Sequence, residues 1–421
     1  MSKLSTQPYK GVRDFYPDDM AIQRYIFDVW SQTAESFGYE RYDASVLEPA
    51  ELYKAKGAEN EEMVNEQTYT FTDRGDREVT LRPEMTPTVA RMIAAKRREL
   101  AFPVRWYSIP NLFRYERSQR GRLREHWQLN CDIFGSDHVA ADIEMIALAY
   151  QIFLNFGADP DMFSIKINNR AETEALYAQL GITDDEEQRA ITRLNDRKNK
   201  ISEAEYQKEL EAITDKAAEV ASAITKPMGY TVLPKDAVTA QVVQGLQALG
   251  IENVTVDRTL ARGFDYYTGT IFEFFDTDPE NNRSLLGGGR YDNLTALFGG
   301  EPVSGVGFGF GDVTMRDFLE THNLLTADIS APDLLVMPTD DSLNLEAQKV
   351  AAELRASGLS VAVDLGTKKL TKKLSAASER LVTYALVLGE DEVTSSHYTV
   401  KNLQDGTETS GSLRELANTI S

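Results

Sequence analysis

The sequence predicts an α+β chain in two parts. A large body spans residues 1–325 and is broken by a helical insertion at about 171–256; a small mixed α/β domain follows over 331–421. Three observations point there. Apolar residues at every second position recur around turn residues in the first part, the pattern of paired strands with one buried face. Residues 171–256 are charged, poor in aromatics and helical in pattern, and strand spacing resumes after them. From residue 334 onward, short apolar strand runs alternate with helix-length segments, as in a compact domain of about 90 residues.

Taken in order, Asp18 or Asp19 after Pro17 can cap a helix to about Phe37, with Ile22, Ile26, Val29 and Trp30 as its apolar stripe and Gly38 as its stop. Tyr69, Phe71, Val79 and Leu81 alternate around Asp73-Arg74-Gly75-Asp76, a hairpin with glycine at the turn. Residues 86–98 read as a helix with Pro87 near its first turn. Leu112, Phe113 and Tyr115, then Trp127, Leu129 and Cys131, form the arms of a second hairpin, with Gly121 at the tip where a positive φ is needed. Residues 137–156 are a strongly apolar helix, and strand spacing returns over 254–275 and 303–311. In the last of these, glycines hold one face and Val306, Phe308 and Phe310 the other. Glycines so arranged admit a close approach to the backbone; a tight helix crossing is the alternative. Residues 322–332 contain the linker. Beyond it come strands at 334–337, 361–363, 384–388 and 398–400, helices between them, one of which carries Lys368, Lys369, Lys372 and Lys373, and a final helix. Those lysines face either phosphates or plain solvent.

The chain has 421 residues, 42% of them hydrophobic, enough for two or three cores. Its formal net charge of −21 argues against a general nucleic-acid binder. Residues 91–124 reverse that sign: ten Lys or Arg stand against two Asp or Glu, a local net of +8. An acidic body with one basic face can still take up a polyanion selectively. Arg114, Arg117, Arg120, Arg122 and Arg124 crowd the second hairpin. Guanidinium groups match phosphate oxygens in a bidentate way; a solvated face is the alternative. Arg114, Glu116, Gln128 and Asp132 fall at even spacing, so on strands they share a face too polar for a core, the floor of a pocket. The one cysteine, Cys131, excludes an internal disulfide and fits a reducing cytoplasmic location; it reads as a buried structural thiol. No run reaches membrane-spanning length, and MSKLSTQPYK lacks the apolar core of a secretory signal. The four histidines have no zinc-like spacing, so no metal site is expected, and neither G-x-G-x-x-G nor G-x-x-x-x-G-K occurs.

Six segments, GVRDFYP, FGYERYDASVLE at 37–48, LRPEMTPTVARM at 81–92, FRYERSQRGRLREHWQLNCDIFG at 113–135, LARGFDYYTGTIFEF at 260–274 and GGGRYD at 287–292, together resemble the histidyl-tRNA synthetases, a class II aminoacyl-tRNA synthetase family, over nearly the full length. The resemblance implies a catalytic domain on an antiparallel sheet with a helical insertion, a C-terminal mixed α/β anticodon-binding domain, and a homodimer. It implies activation of L-histidine by ATP, with Mg2+ carried by the ATP, and transfer to the 3′ end of tRNA(His). By the same resemblance Arg114 grips the α-phosphate and the substrate carboxylate, and Arg262 stands opposite, in place of a metal ion. Glu84, Met85, Thr86 and Gln128 hold the amino-acid end of histidine, its ammonium above all. Asp132 with Tyr266 and Tyr267 reads the imidazole, and Tyr291 lines the pocket. Since strand neighbours face opposite ways, one of Tyr266 and Tyr267 is expected to touch substrate. Glu116 and Arg122 bind ATP with Arg114, and Arg120 and Arg124 meet the tRNA acceptor end.

Two positions depart from the family. Its third motif carries an arginine three residues after the glycine that closes the strand; here Gly311 is followed by Asp312, Val313 and Thr314. Arg316, two further on, projects about half a turn away on a helix and is no simple replacement. Ser45 stands for the first-motif proline. Two competing readings remain: a silent paralogue that binds histidine as a regulatory subunit of an ATP phosphoribosyltransferase, and an RNA-binding module without chemistry. The intact Arg262-Gly-Phe-Asp-Tyr-Tyr267 segment and the C-terminal domain argue against the first, and the complete Glu84, Arg114, Gln128 and Arg262 set argues against the second.

Overall fold

The computed structural model describes residues 4–54, 67–116, 121–198, 201–224, 234, 237–261, 266–281, 283–326 and 331–420. It divides into two units, Met1–Thr326 and Ala327–Ser421.

The first unit is built on a nine-stranded sheet. Its strands are β1 (Glu40–Arg41), β5 (Val104–Ser108), β6 (Asn111–Phe113), β7 (Glu125–Phe134), β8 (Phe163–Asn169), β9 (Val254–Val256), β10 (Thr270–Asp276), β11 (Ser284–Arg290) and β12 (Gly305–Gly311). The order is β1-β5-β7-β12-β11-β10-β8-β9, with β6 paired to β7. The six central strands are antiparallel; only the edge pairs β1/β5 and β8/β9 run parallel. A separate three-stranded sheet joins β2 (Leu47–Pro49), β3 (Tyr69–Thr72) and β4 (Glu78–Leu81). Asp76, not Gly75, takes the positive φ in the β3–β4 turn, where an Asp side chain tolerates the left-handed region. Gly121 does have the positive φ expected of it.

One face of the large sheet is the core. Leu129, Cys131 and Ile133 of β7, Val306, Phe308 and Phe310 of β12, and Phe272 and Phe274 of β10 pack against α1 (Pro17–Ser36), α4 (Val139–Asn155), α9 (Val238–Ala248) and α10 (Asp312–Thr321). Phe153 of α4 sits at its centre, 4.5–5.6 Å from the rings of Phe163, Phe274, Phe310 and Phe318. Each large side chain buried here contributes about 1.5–3 kcal/mol. Helix α1 begins at Pro17 itself, so Asp18 and Asp19 lie in its first turn and do not cap it; there they face the positive end of the helix dipole. The other helices of this unit are α2 (Glu51–Lys54), α3 (Thr86–Lys96), α5 (Arg170–Gln179), α6 (Asp185–Arg197), α7 (Glu203–Ile213) and α8 (Ala217–Ile224). Helices α5 to α8 share a small core of their own around Tyr177, Tyr206 and Leu210, whereas α9 packs on the main core. Residues 254–275 hold two separate strands, β9 and β10; residues 262–265 between them lie outside the described residues.

The second unit has the sheet β14-β13-β15-β16-β17, made of β13 (Leu334–Pro338), β14 (Val361–Val363), β15 (Tyr384–Leu388), β16 (Tyr398–Asn402) and β17 (Glu408–Gly411). Its first three strands are parallel and the rest antiparallel. Helices α11 (Asn344–Ala356) and α14 (Leu413–Ile420) cover one side, α12 (Leu370–Glu379) the other, and α13 (Glu390–Ser395) links β15 to β16. The lysine run is not one solvated face: Lys373 is buried and paired with Asp364 at 3.5 Å, while Lys368, Lys369 and Lys372 are exposed.

Candidate active site

The second face of the large sheet is polar, and register explains why. Gln128, Asn130, Asp132 and Phe134 of β7 lie opposite Gly311, Gly309, Gly307 and Gly305 of β12. Directly paired residues share a face, so four glycines stand beside the polar row. They leave no empty groove. A Cβ at Gly307 would collide with the Asp132 carboxylate, and one at Gly309 would come within 2.5 Å of Gln128 Nε2. A Cβ at Gly305 would come within 2.7 Å of the Tyr291 ring. The close approach expected at these glycines is made by the chain's own side chains, which lie across β12.

Asp132 is the centre of this face. It is 3% exposed, and the Tyr291 hydroxyl donates to its Oδ1. Among the described residues, its Oδ2 is buried without a partner, as is Asn130 Nδ2. Burial pushes the Asp132 carboxyl up to about 7, against the pull of the Tyr291 hydrogen bond. Burial, followed by the adjacent Asp132 charge, also raises the Tyr291 phenol. A buried carboxylate oxygen left without a donor is costly.

A chain of contacts leads outward from that pair. The Tyr266 ring meets the Tyr291 ring edge-on at 5.8 Å, and its hydroxyl lies 3.4 Å from Glu84 Oε2. Glu84 is buried just before α3. Met85 is buried at the N-cap of that helix and Thr86 begins it. Tyr267 is buried in a small apolar cluster with Leu260, Ile271 and Tyr291, 4.8 Å from the Tyr266 ring. Tyr266 thus bridges the Glu84 carboxylate and the Tyr291 ring. Arg114 Nε donates to the Pro83 carbonyl at 2.9 Å, which seats its guanidinium beside Glu84. Residues 84, 114, 128, 132, 266 and 291 thus converge from separate stretches of the chain.

The arginine hairpin rises from this floor. Arg114 N–H donates to the Arg124 carbonyl at 2.9 Å, continuing the β6–β7 ladder. Arg122 is exposed, with Nη1 3.8 Å from the Glu116 carboxylate. Arg124 turns toward the N-terminal segment: its guanidinium lies 4.2 Å over the Tyr115 ring and donates to the Glu116 carbonyl and the Tyr9 hydroxyl at 3.1 Å. Beneath the hairpin, Arg13 pairs with buried Asp312 at 2.7 Å, and Asp312 accepts from the Trp127 N–H at 3.0 Å. Burial, reinforced by the Arg114 and Arg13 charges, pushes His126 down to about 3, so it stays neutral. Arg117, Arg120 and Arg262 lie outside the described residues.

Some residues escaped the sequence reading. Asn130 could have been found from register alone, since it falls between Gln128 and Asp132. The Arg13–Asp312 pair joins residues far apart in the chain and left no local signal. The same holds for Arg290, whose guanidinium is clamped by Asp142 at 2.6 Å. Among the described residues, no group of three or more His, Cys, Asp or Glu is placed to hold a metal ion, and no helix is long and apolar enough to cross a membrane.

The histidyl-tRNA synthetase family model matches residues 11–311, and the anticodon-binding domain model matches residues 333–421. A histidine–tRNA ligase of Leptospira biflexa is 42% identical over 415 residues, covering 95% of this chain and 94% of its own. One from Thermoplasma volcanium is 35% identical, covering 96% and 95%. Among solved structures, the histidyl-tRNA synthetase of Nostoc sp. PCC 7120 superposes with a TM-score of 0.79 at 24% identity, over 99% of both chains. The apo Staphylococcus aureus enzyme gives 0.73 at 23% over the whole of both. At these identities the two structures attest the fold.

Proposed function

The chain belongs to the histidyl-tRNA synthetase family and ligates histidine to tRNA; on that premise we propose that the polar face around Asp132 is where histidine and ATP react. The observation that carries this reading is the unpartnered Oδ2 of Asp132, buried beside Tyr291 and two glycine-lined positions from Gln128. An imidazole N–H donating to that oxygen completes its hydrogen bonding. The Tyr266 and Tyr291 rings wall the pocket, and Glu84, Thr86 and Gln128 receive the α-ammonium, with Met85 packing beneath. A site whose buried partners need the ligand's polar atoms rejects analogues lacking them by about four to five decades. No editing step is then required.

In the first half-reaction a carboxylate oxygen of histidine attacks the α-phosphorus of ATP. The bond to the bridging oxygen breaks and pyrophosphate leaves. Both reactants are anions, so the barrier is largely electrostatic, and fixed cations at the phosphorus lower it. Arg114, anchored through Nε to the Pro83 carbonyl, supplies one such cation. The family resemblance assigns the second to Arg262. Glu116 and Arg122 hold the adenine and terminal phosphate ends of ATP, which brings its own Mg2+. In the second half-reaction the terminal ribose hydroxyl of tRNA(His) attacks the acyl carbon and AMP departs. Arg120 and Arg124 meet the acceptor end; the bonds Arg124 already makes also brace the hairpin. The second unit reads the anticodon, and the protein works as a cytoplasmic homodimer.

Exchange of labelled pyrophosphate into ATP tests this directly. It is expected only when L-histidine is present, and histidinol, which lacks the carboxylate, should inhibit it without supporting it. Exchange supported by another amino acid, or none with histidine, would overturn the assignment.

A further inference from the structure

Helix α10 lacks the arginine that the family places in its first turn. Thr314 stands there, its Oγ1 2.9 Å from the Leu285 carbonyl and 3.0 Å from that of Gly311. These contacts fasten the start of α10 to the entry of β11. Arg316 does not compensate, because its guanidinium is held by Glu320 at 2.8 Å and Asp19 at 3.0 Å. Another guanidinium reaches the same spot. Arg283 sits two residues before Leu285, immediately outside β11, and is exposed. The point that a Cβ would occupy at Gly121 is 3.5 Å from Arg283 Nη1 and 3.8 Å from Thr314 Cγ2. Gly121, the Arg283 guanidinium and position 314 therefore meet at one place. The register β7–β12–β11 puts this end of β11 on the same rim of the sheet as Gly311 and Gln128.

We propose that Arg283 is an ATP-binding residue, presenting to the triphosphate from the β10–β11 connection the guanidinium that α10 no longer carries. What a phosphate meets is the planar fork at the end of the side chain, not the Cα from which it grows. Arg122 follows Gly121 directly, and its Nη1 lies 3.8 Å from the Glu116 carboxylate. The inference rests on the reading that ATP binds this face.

The test is pyrophosphate exchange by the full chain with ATP and histidine varied separately. Arg283→Ala should raise the KM for ATP about tenfold or more, leave the KM for histidine unchanged, and leave the melting temperature unchanged. Arg283→Lys should recover part of the loss, since it keeps the charge without the fork. Thr314→Arg added to Arg283→Ala should restore the ATP KM. An ATP KM within twofold of wild type, an equal rise for both substrates, or no rescue by Thr314→Arg overturns the proposal. Absence of histidine-dependent exchange in the wild-type protein is a different failure: it removes the ligase reading, and this inference with it.

Discussion

Replacing Asp132 by Asn separates binding from stability at one atom. The side chain keeps its shape and can still accept from the Tyr291 hydroxyl, but it loses its charge. An ordinary aspartate ionises near 3.8, and burial holds this one near 7. Between those values the unfolded chain releases a proton that the folded chain keeps. The stabilising contribution is therefore complete below about pH 4 and is lost as pH rises through 7. At about 1.36 kcal/mol per pKa unit, the ionised carboxylate costs the native state on the order of 4 kcal/mol at pH 8. Asp132→Asn removes that cost, so urea unfolding should find the variant more stable than wild type at pH 8, and the advantage should shrink at pH 5. Histidine binding should move the other way. A hydrogen bond to a charged acceptor contributes about 1.5–3 kcal/mol, so kcat/KM for histidine should fall about 10- to 150-fold in pyrophosphate exchange, with the KM for ATP unchanged. A variant that is less stable at pH 8 yet uses histidine normally would refute the placement of the substrate ring on Asp132.

Other perturbations give separate signatures. Arg114→Ala should slow pyrophosphate exchange about 10²- to 10³-fold, the range for one lost electrostatic contact in a transition state, while the urea midpoint barely moves. Gly307→Ala drives a methyl group into the Asp132 carboxylate and the Cys131 carbonyl; it should destabilise by about 1–3 kcal/mol and weaken histidine binding more than ATP binding in equilibrium titrations. Asp312→Ala leaves Arg13 without its buried partner and should destabilise by about 3–5 kcal/mol, read by urea unfolding. Gln at exposed Lys368, Lys369 and Lys372 should flatten the dependence of tRNA binding on salt by about one unit of log–log slope per phosphate contact removed, with histidine activation untouched.

Much of the site was legible because strand alternation has a period of two. Gln128 and Asp132, four residues apart, had to share a face, and Cys131, out of step with them, had to turn to the core, where it lies. The glycine and phenylalanine faces of residues 305–311 follow from the same rule. What filled the glycine face could not be read, since Tyr291 and Asp132 meet there only when β7, β11 and β12 align. Strands β5 and β8 went unnoticed because Arg105 and Lys166 interrupt their apolar pattern; both are satisfied by carboxylates, Glu144 and Asp257, contributed by distant segments. The start of α1 is ambiguous in sequence for a local reason: a proline fits the first helical position as well as an aspartate fits the cap. Arg283 carried no signal at all, because its significance depends on Gly121 and Thr314 arriving beside it.

A crystal structure with L-histidine and a non-cleavable ATP analogue gives the most direct test of the assignment. The imidazole N–H should lie about 2.6–3.2 Å from Asp132 Oδ2, with the histidine carboxylate facing the α-phosphate beside Arg114. Histidine seated away from Asp132, or an α-phosphate out of reach of Arg114, would contradict it.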